Sequence, residues 1–355
     1  MNVLTRYIVK EVLKGSSLAA LFLLTLFSLF TFSDELKSLG KGSYNLKEIV
    51  YYVALTSPRV FYELVPASAL LGSLFVLGGM GNHRELVAMR AAGVSVLSII
   101  KSVMLAGAIL VAVAITVGEW IAPNTEQMAQ TLKSKSRADQ IMIKSLYGLW
   151  LREGQTFINV KKIEENGDLE NIYTYELDEN NRLSKAMYSQ KALFKGENQW
   201  EMENIQQSDI STDQVKVAKL DSLPWTSSID PKLVNVVVVS PDNLSLYDLN
   251  TYIRFLKDNK QKSQTYEFAF WGRVVNPFVT FVMLMIATPF VIGVKRGVSA
   301  GARMLIGVVI GLGFNIGDKI IGHMSLIYDL NPAIMAFVPS LTVFTVALYA
   351  LRRVQ

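Results

Sequence analysis

Uncharged, strongly apolar stretches recur along the chain at residues 15–33, 64–82, 102–118, 274–294 and 330–351. Each reaches or approaches the ~18–20 apolar residues that a helix needs to cross a ~30 Å hydrocarbon layer. A sixth stretch, 304–317, is interrupted by Asp318 and Lys319 and becomes a full span if it continues through Ile320 and Ile321. The pattern predicts six membrane-crossing helices, three before a long polar insert and three after it. The second helix, over 51–82, contains Pro58 and Pro66 and is expected to tilt or kink. Arg59 and Glu63 lie four residues apart on it and can pair on one face. The third span is expected to end near Glu119, Trp120 and Pro123, an interfacial aromatic followed by a helix stop.

Inside the insert the period changes. From Asn124 to about Tyr147 the pattern is polar and helix-compatible, as in a stalk. After Gly148, residues 156–160, 171–177 and 183–194 mix β-branched and aromatic side chains with polar ones, and from Ile172 to Leu177 the alternation is close to two. Asn166-Gly167, Asn180-Asn181 and Gly196 supply the turns. Residues 233–239 form a β-branched run suited to a strand buried on both faces. About seven short strands in this space suit a sandwich or jelly roll. Ser245 reads as the N-cap of a helix through Asp258, and a polar stretch returns the chain to the membrane at Tyr266. The expected fold is an α-helical membrane protein with six transmembrane helices and an inserted extracytoplasmic all-β, jellyroll-like domain. Its parts are an N-terminal transmembrane half over 1–123, the β domain with flanking stalks over 124–265, and a C-terminal half over 266–355.

Charge sets the orientation. The chain is 51% hydrophobic and 18% charged, below the roughly 25% charge of soluble domains. Arg6, Lys10 and Lys14 precede the first span, but the span is too long for a signal-peptide core and no small-residue cleavage site follows, so it reads as a retained anchor. The three cations, four residues apart, form a stripe that suits an anionic lipid surface and equally a simple topological anchor. With the N-terminus inside, the inner short segments hold eleven Lys and Arg and the outer ones four, which predicts both termini in the cytoplasm. The 145 residues from 123 to 267, with 18 basic and 21 acidic side chains, then lie outside. The sequence pI near 9.1 therefore reflects the membrane part, and a nucleic-acid footprint is missing. There is no cysteine, which excludes a disulfide framework and thiol chemistry.

Enzyme motifs are missing as well. Gly40-Lys41 lacks the flanking residues of a phosphate-binding loop, and His83 and His323 fall on opposite sides of the membrane, unsuited to a shared metal. Transport energy must then come from an ion gradient or a partner. Arg59, Glu63, Glu119, Arg273, Asp318, Lys319 and His323 are the candidates for ion coupling, but all sit near the outer boundary, where interfacial pairing explains them. The segment 83–93 reads as a short helix stopped by Gly93, with Leu86, Met89 and Arg90 on one face beside Arg84 and Glu85. It can dock in a partner's groove or lie on lipid. Gly297 and Gly301, Gly307 and Gly311, and Gly313 and Gly317 form three G-x-x-x-G pairs, which permit close helix approach within the chain or between subunits. Asp34, Glu35, Lys37 and Lys41 crowd the outer end of the first span, where cations can meet lipid phosphates or simply face water.

Taken in order, Arg6-Tyr7, the run from Arg84 to Gly93, Gly118-Glu119-Trp120-Ile121-Ala122-Pro123, Glu126-Gln127-Met128-Ala129 and Gly148-Leu149-Trp150 make this chain resemble the permease subunits of the lipopolysaccharide exporter, the LptF/LptG family, on its LptG branch. The resemblance covers nearly the whole chain. It implies a permease of the bacterial inner membrane with a periplasmic jellyroll, binding no cofactor itself. It also implies a sister LptF-like permease, two cytoplasmic LptB-like ATPase subunits that use ATP and Mg, a single-span LptC-like subunit and a periplasmic bridge. Arg84, Glu85, Leu86, Met89 and Arg90 would form the coupling helix that meets the ATPase. Lipopolysaccharide would enter between the first and fifth helices of opposite subunits, with Asp34, Lys37 and Lys41 near its headgroup and Gly307, Gly311 and Gly317 at the gate. Thr31 and Ser38 depart from the family, where related subunits carry lysine. An ion-coupled secondary transporter, or a non-transporting scaffold with a periplasmic binding domain, are the rival readings.

Overall fold

The computed structural model describes residues 3–136, 149–164, 167–178, 180–196, 199–211, 214–227, 241–292 and 300–354. The apolar stretches form the expected spans: α1 (Val3–Leu36), α2 (Leu46–Asn82), α4 (Val96–Thr116), α7 (Gln264–Ile292), α8 (Ala300–Ile327) and α9 (Pro332–Val354). The short helix α3 (Glu85–Ala91) lies between α2 and α4. Among the described residues six helices are long and apolar enough to cross a membrane, the interrupted fifth among them.

Two large buried clusters, with a smaller one of Tyr62, Val65 and Ala114, hold the spans together. Ile8, Val9 and Val12 of α1 pack with Ala69, Leu77 and Met80 of α2 and with Ile99 and Val103 of α4. Leu70 and Leu74 of α2 pack with Val275, Val279 and Met283 of α7 and with Ala336 and Ala347 of α9. Helix α2 therefore lies in both clusters and joins the two halves. Where α1 crosses α2 the backbones touch: a Cβ on Gly72 would stand 2.3 Å from the amide nitrogen of Ser16, and one on Gly15 would stand 2.8 Å from the Gly72 carbonyl oxygen.

The third span does not stop at Pro123. After α4 the chain makes a π turn at Val117–Ile121 and continues as α5 (Ala122–Ser136). A proline in α-helical register lacks the N–H that would bond to the preceding turn, which normally ends or kinks the helix. Here the widened turn has already shifted that register, because the Ala122 amide bonds to the Val117 carbonyl, five residues back. The stalk seen in the sequence is thus continuous with the third span; its stretch beyond Ser136, and the run 233–239, lie outside the described residues.

The insert holds an antiparallel sheet of β1 (Leu149–Glu153), β2 (Thr156–Ile163), β3 (Leu169–Leu177), β4 (Leu183–Gly196), β5 (Gln199–Ile210) and β6 (Val215–Thr226), paired in sequence order. Among the described residues the strands form this one up-and-down sheet, and no second sheet of a sandwich is among them. Ile158, Val160, Leu169, Ile172, Trp200, Met202 and Ile205 fill its core. Buried positions alternate until one row, where the step becomes three residues in each of β3, β4 and β5: Leu169 to Ile172, Ser189 to Ala192, and Met202 to Ile205. Asn171 and Asn204 sit in that row with left-handed backbone, φ 52° at both. Asparagine tolerates that conformation, and the phase shift keeps apolar side chains on the core side of long strands. Helix α6 (Leu246–Asp258), capped by Ser245 as the sequence predicts, packs on α7 through Leu249, Tyr252 and Leu256 and turns Phe255 toward the sheet core.

Candidate functional site

At one end of the bundle sits α3. Its N-cap, Arg84, has φ 61°, a left-handed conformation unusual for a side chain of this size. Gly93, at φ 87°, ends the segment with its amide on the Arg90 carbonyl. Leu86 is 6% exposed and joins the cluster of Ile8, Val12, Leu77 and Ile99, with Met89 packed at its edge. The apolar face that the sequence marks for docking therefore seats α3 on its own helices. Turned outward are Arg84, Ala88, Arg90 and Val87, the last of these 58% exposed. Val87 is invisible to a search for the i, i+3, i+4 face. Glu85 accepts a hydrogen bond of 2.9 Å from the Tyr7 hydroxyl of α1.

At the sheet end, residues far apart in sequence converge. The π turn leaves the Gly118 carbonyl without its helical partner, and Arg273 of α7 donates to it at 3.1 Å through Nη1. The same nitrogen reaches Glu119 Oε1 at 2.9 Å, and Nη2 reaches the Asp242 carbonyl at 3.2 Å. Glu119 Oε2 accepts from the Leu246 amide at 2.9 Å, at the open N-terminus of α6. Tyr62 packs its ring on Gly118, where a Cβ would lie 2.4 Å from the ring. About two helical turns further along the chain, Glu126, 2% exposed, approaches Arg59 at 3.4 Å and accepts from Gln130 at 2.8 Å and Asn243 at 3.2 Å. Arg59 also pairs with Glu63 at 3.0 Å, as their spacing predicts. This network ties α2, the π turn, α5, α7 and the segment returning from the sheet. Arg59, Glu63, Glu119 and Arg273 are thus held in ion pairs; Asp318, Lys319 and His323 lie apart on α8, with His323 Nδ1 bonded to the Lys319 carbonyl at 2.8 Å.

The last turn of α1, at the sheet end, is held too. Glu35, buried, pairs with Lys133 of α5 and accepts from the Tyr44 hydroxyl at 3.1 Å. The Ser43 amide bonds to the Ser136 carbonyl at 2.7 Å. Asp34 and Lys37 form a solvent-exposed pair at 2.8 Å on the opposite side of that turn, and the Lys41 backbone amide bonds to the Ser38 carbonyl at 3.3 Å. Between its held ends α1 presents Leu18, Leu21, Phe22, Leu29 and Phe30 outward. Helix α8 presents a similar stripe through Leu305, Val309, Leu312, Ile316 and Ile320.

The glycines of α8 divide. A Cβ on Gly307 would meet the side-chain tips of Leu74 and Leu71 at 2.7 and 2.9 Å, so this glycine serves packing within the chain. Around Gly311, Gly313 and Gly317 the space is open to 4 Å. Gly297 lies outside the described residues. Among the described residues no three His, Cys, Asp or Glu side chains gather as a metal ion would require. What the arrangement offers is two apolar helix faces, an exposed charged turn at one end and a docking-sized helix at the other.

Comparison with known proteins agrees along the full length. The model of the family described as "Lipopolysaccharide export system permease LptF/LptG" matches residues 6–353. The lipopolysaccharide export system permease protein LptG of Escherichia coli (strain K12) is 31% identical over 354 residues, covering 99% of this chain and 98% of the relative. LptG of Haemophilus influenzae (strain ATCC 51907 / DSM 11121 / KW20 / Rd) is 30% identical over 354 residues, covering 99% of each. LptF of Escherichia coli (strain K12) aligns over 140 residues at 27% identity, 39% of this chain and 37% of the relative. The chain belongs to the lipopolysaccharide export permease family LptF/LptG, and it is similar to LptG from end to end.

Proposed function

We propose that this chain is an LptG-type permease subunit of the inner membrane that moves lipopolysaccharide outward, paired with an LptF-like sister. The observation that carries this reading is the end-to-end match to LptG, joined to six apolar helices around an inserted sheet. Both termini and α3 are cytoplasmic and the sheet is periplasmic. The stripes on α1 and α8 form the lipid-facing walls, where acyl chains gain ~0.8 kcal/mol per buried CH₂. Lys37 and Lys41, with Asp34, stand at the level of the lipid phosphates, and the open Gly311 and Gly317 permit close approach of the sister subunit's helix. Gly307 shapes the gate from behind by its contact with α2. ATP and Mg belong to separate LptB-like subunits docked on Arg84, Val87 and Arg90, with Leu86 and Met89 as the helix's internal footing. An LptC-like subunit and a periplasmic bridge receive the lipid.

The test is to co-express the chain with LptF-like and LptB-like partners, purify the complex, and follow ATP-dependent release of lipopolysaccharide to an acceptor. Co-purification of both partners with lipid A phosphate, and release that needs ATP, is the expected result. A chain that purifies alone, with transport driven by a proton or sodium gradient, would overturn it. Within the complex, Arg84→Glu and Arg90→Glu together should cut stimulated ATPase activity by about tenfold, since like charges facing a partner's anionic groove repel. Full stimulation in that variant would remove α3 from the docking surface.

A further inference from the structure

Arg6-Tyr7 stands out in the sequence, and nothing so far assigns Tyr7 a role. Its hydroxyl reaches from the second turn of α1 to Glu85 Oε2 at 2.9 Å, bridging 78 residues of sequence. Three observations make this more than a surface contact. The left-handed Arg84 turns the chain sharply between α2 and α3, placing Glu85 over α1, and a non-glycine residue in that conformation persists only where its surroundings hold it. One residue further, Leu86 is buried among Ile8, Val9 and Val12 of the same α1 turns. Beyond the crossing at Gly15 and Ser16 and the buried Ala20, α1 has no buried residue until Glu35, so its tightly held first half is where force enters it. Nearby on the same helix, Lys14 pairs with Glu11 at 2.7 Å.

We infer that Tyr7 is a positioning residue that links α3 to α1, so that displacement of α3 by its partner is carried into the lipid-facing helix. A carboxylate held by a phenol in a fixed direction cannot swing away from α1 without breaking a charge-assisted hydrogen bond. The buried Leu86 makes α3 and the first turns of α1 move as one piece, and the Tyr7–Glu85 bond fixes their relative rotation.

This inference rests on the proposed docking of an ATPase at α3, and the test separates the two. In the full complex reconstituted in liposomes, lipid exported per ATP hydrolysed is compared for the unaltered chain, Tyr7→Phe, Glu85→Ala and the double variant. Tyr7→Phe keeps the ring and its packing, so it tests the hydroxyl alone. The ratio is expected to fall by about three- to tenfold, the loss that matches the net worth of an ordinary hydrogen bond, as suits this solvent-exposed one. In the Glu85→Ala background the same change should add nothing, because the two residues act as a unit. A purely structural role would lower export and hydrolysis together and leave the ratio unmoved. An unchanged ratio in Tyr7→Phe, or an equal further loss in the double variant, overturns the inference while the exporter reading stands. An unaltered complex that hydrolyses ATP without exporting lipid overturns both.

Discussion

Arg273→Ala is expected to destabilise the sheet end of the protein by about 3–5 kcal/mol, the cost of leaving one partner of a buried ion pair without the other. Arg273 is 6% exposed and Glu119 18%, so water can relieve little of the loss. Three groups lose their donor at once: the Glu119 carboxylate, the Gly118 carbonyl freed by the π turn, and the Asp242 carbonyl. Arg273→Lys keeps the charge but cannot serve three acceptors in different directions, and should recover only part of the stability. Thermal unfolding in detergent reads the size of the effect. Protease sensitivity around residues 242–246 reads its place, because that segment is held by Arg273 and Glu119 directly. An Arg273→Ala protein with an unaltered midpoint and an intact 242–246 segment would mean that the pair holds nothing.

Gly72→Ala should be nearly as damaging although it adds one methyl group. The new Cβ would stand 2.3 and 2.4 Å from the Ser16 amide nitrogen and Cα. Backbone atoms cannot rotate aside as a side-chain tip can, so α1 must lift from α2, at a cost of about 1–3 kcal/mol or more. Gly307→Ala provides the control. Its neighbours are the ends of Leu74 and Leu71, which can change rotamer, and its effect should stay below about 1 kcal/mol. The ordering of the two unfolding midpoints in one detergent decides the matter; equal shifts would contradict the close crossing.

The spans were legible because crossing a membrane constrains only length and apolarity, which any window of sequence displays. Strands β2 to β4 were legible from alternation and turns. Strand β6 was not, since its side chains are exposed almost throughout and its apolar alternation, Val215 with Val217 and Leu223 with Trp225, is interrupted between. Nor was the phase break at Asn171 and Asn204, a backbone event that leaves no pattern in composition. In the site, the Arg59–Glu63 pair follows from helical spacing alone. The Arg273–Glu119 pair spans 154 residues and depends on the π turn, which also defeats the reading of Pro123 as a stop. The face of α3 was visible, but whether Leu86 points into the protein or away from it depends on α1. A G-x-x-x-G pattern marks pairs of glycines within one helix, whereas the tight crossing uses one glycine from each of two helices, Gly15 and Gly72.

The unbroken run of α4, π turn and α5 has a mechanical consequence. From Val96 to Ser136 it extends about 60 Å at 1.5 Å per residue, about twice the ~30 Å of the hydrocarbon layer. Four residues separate its start from the end of α3, and it finishes at Ser136, before the sheet. A rod of that length is a lever: a tilt of about 10° pivoted near α3 sweeps its far tip through about 10 Å. Joined helices interrupted by a loop would absorb such a tilt at the joint. Because the run is widened rather than broken at the π turn, a small tilt applied at its α3 end would reach its far end as a displacement of about 10 Å.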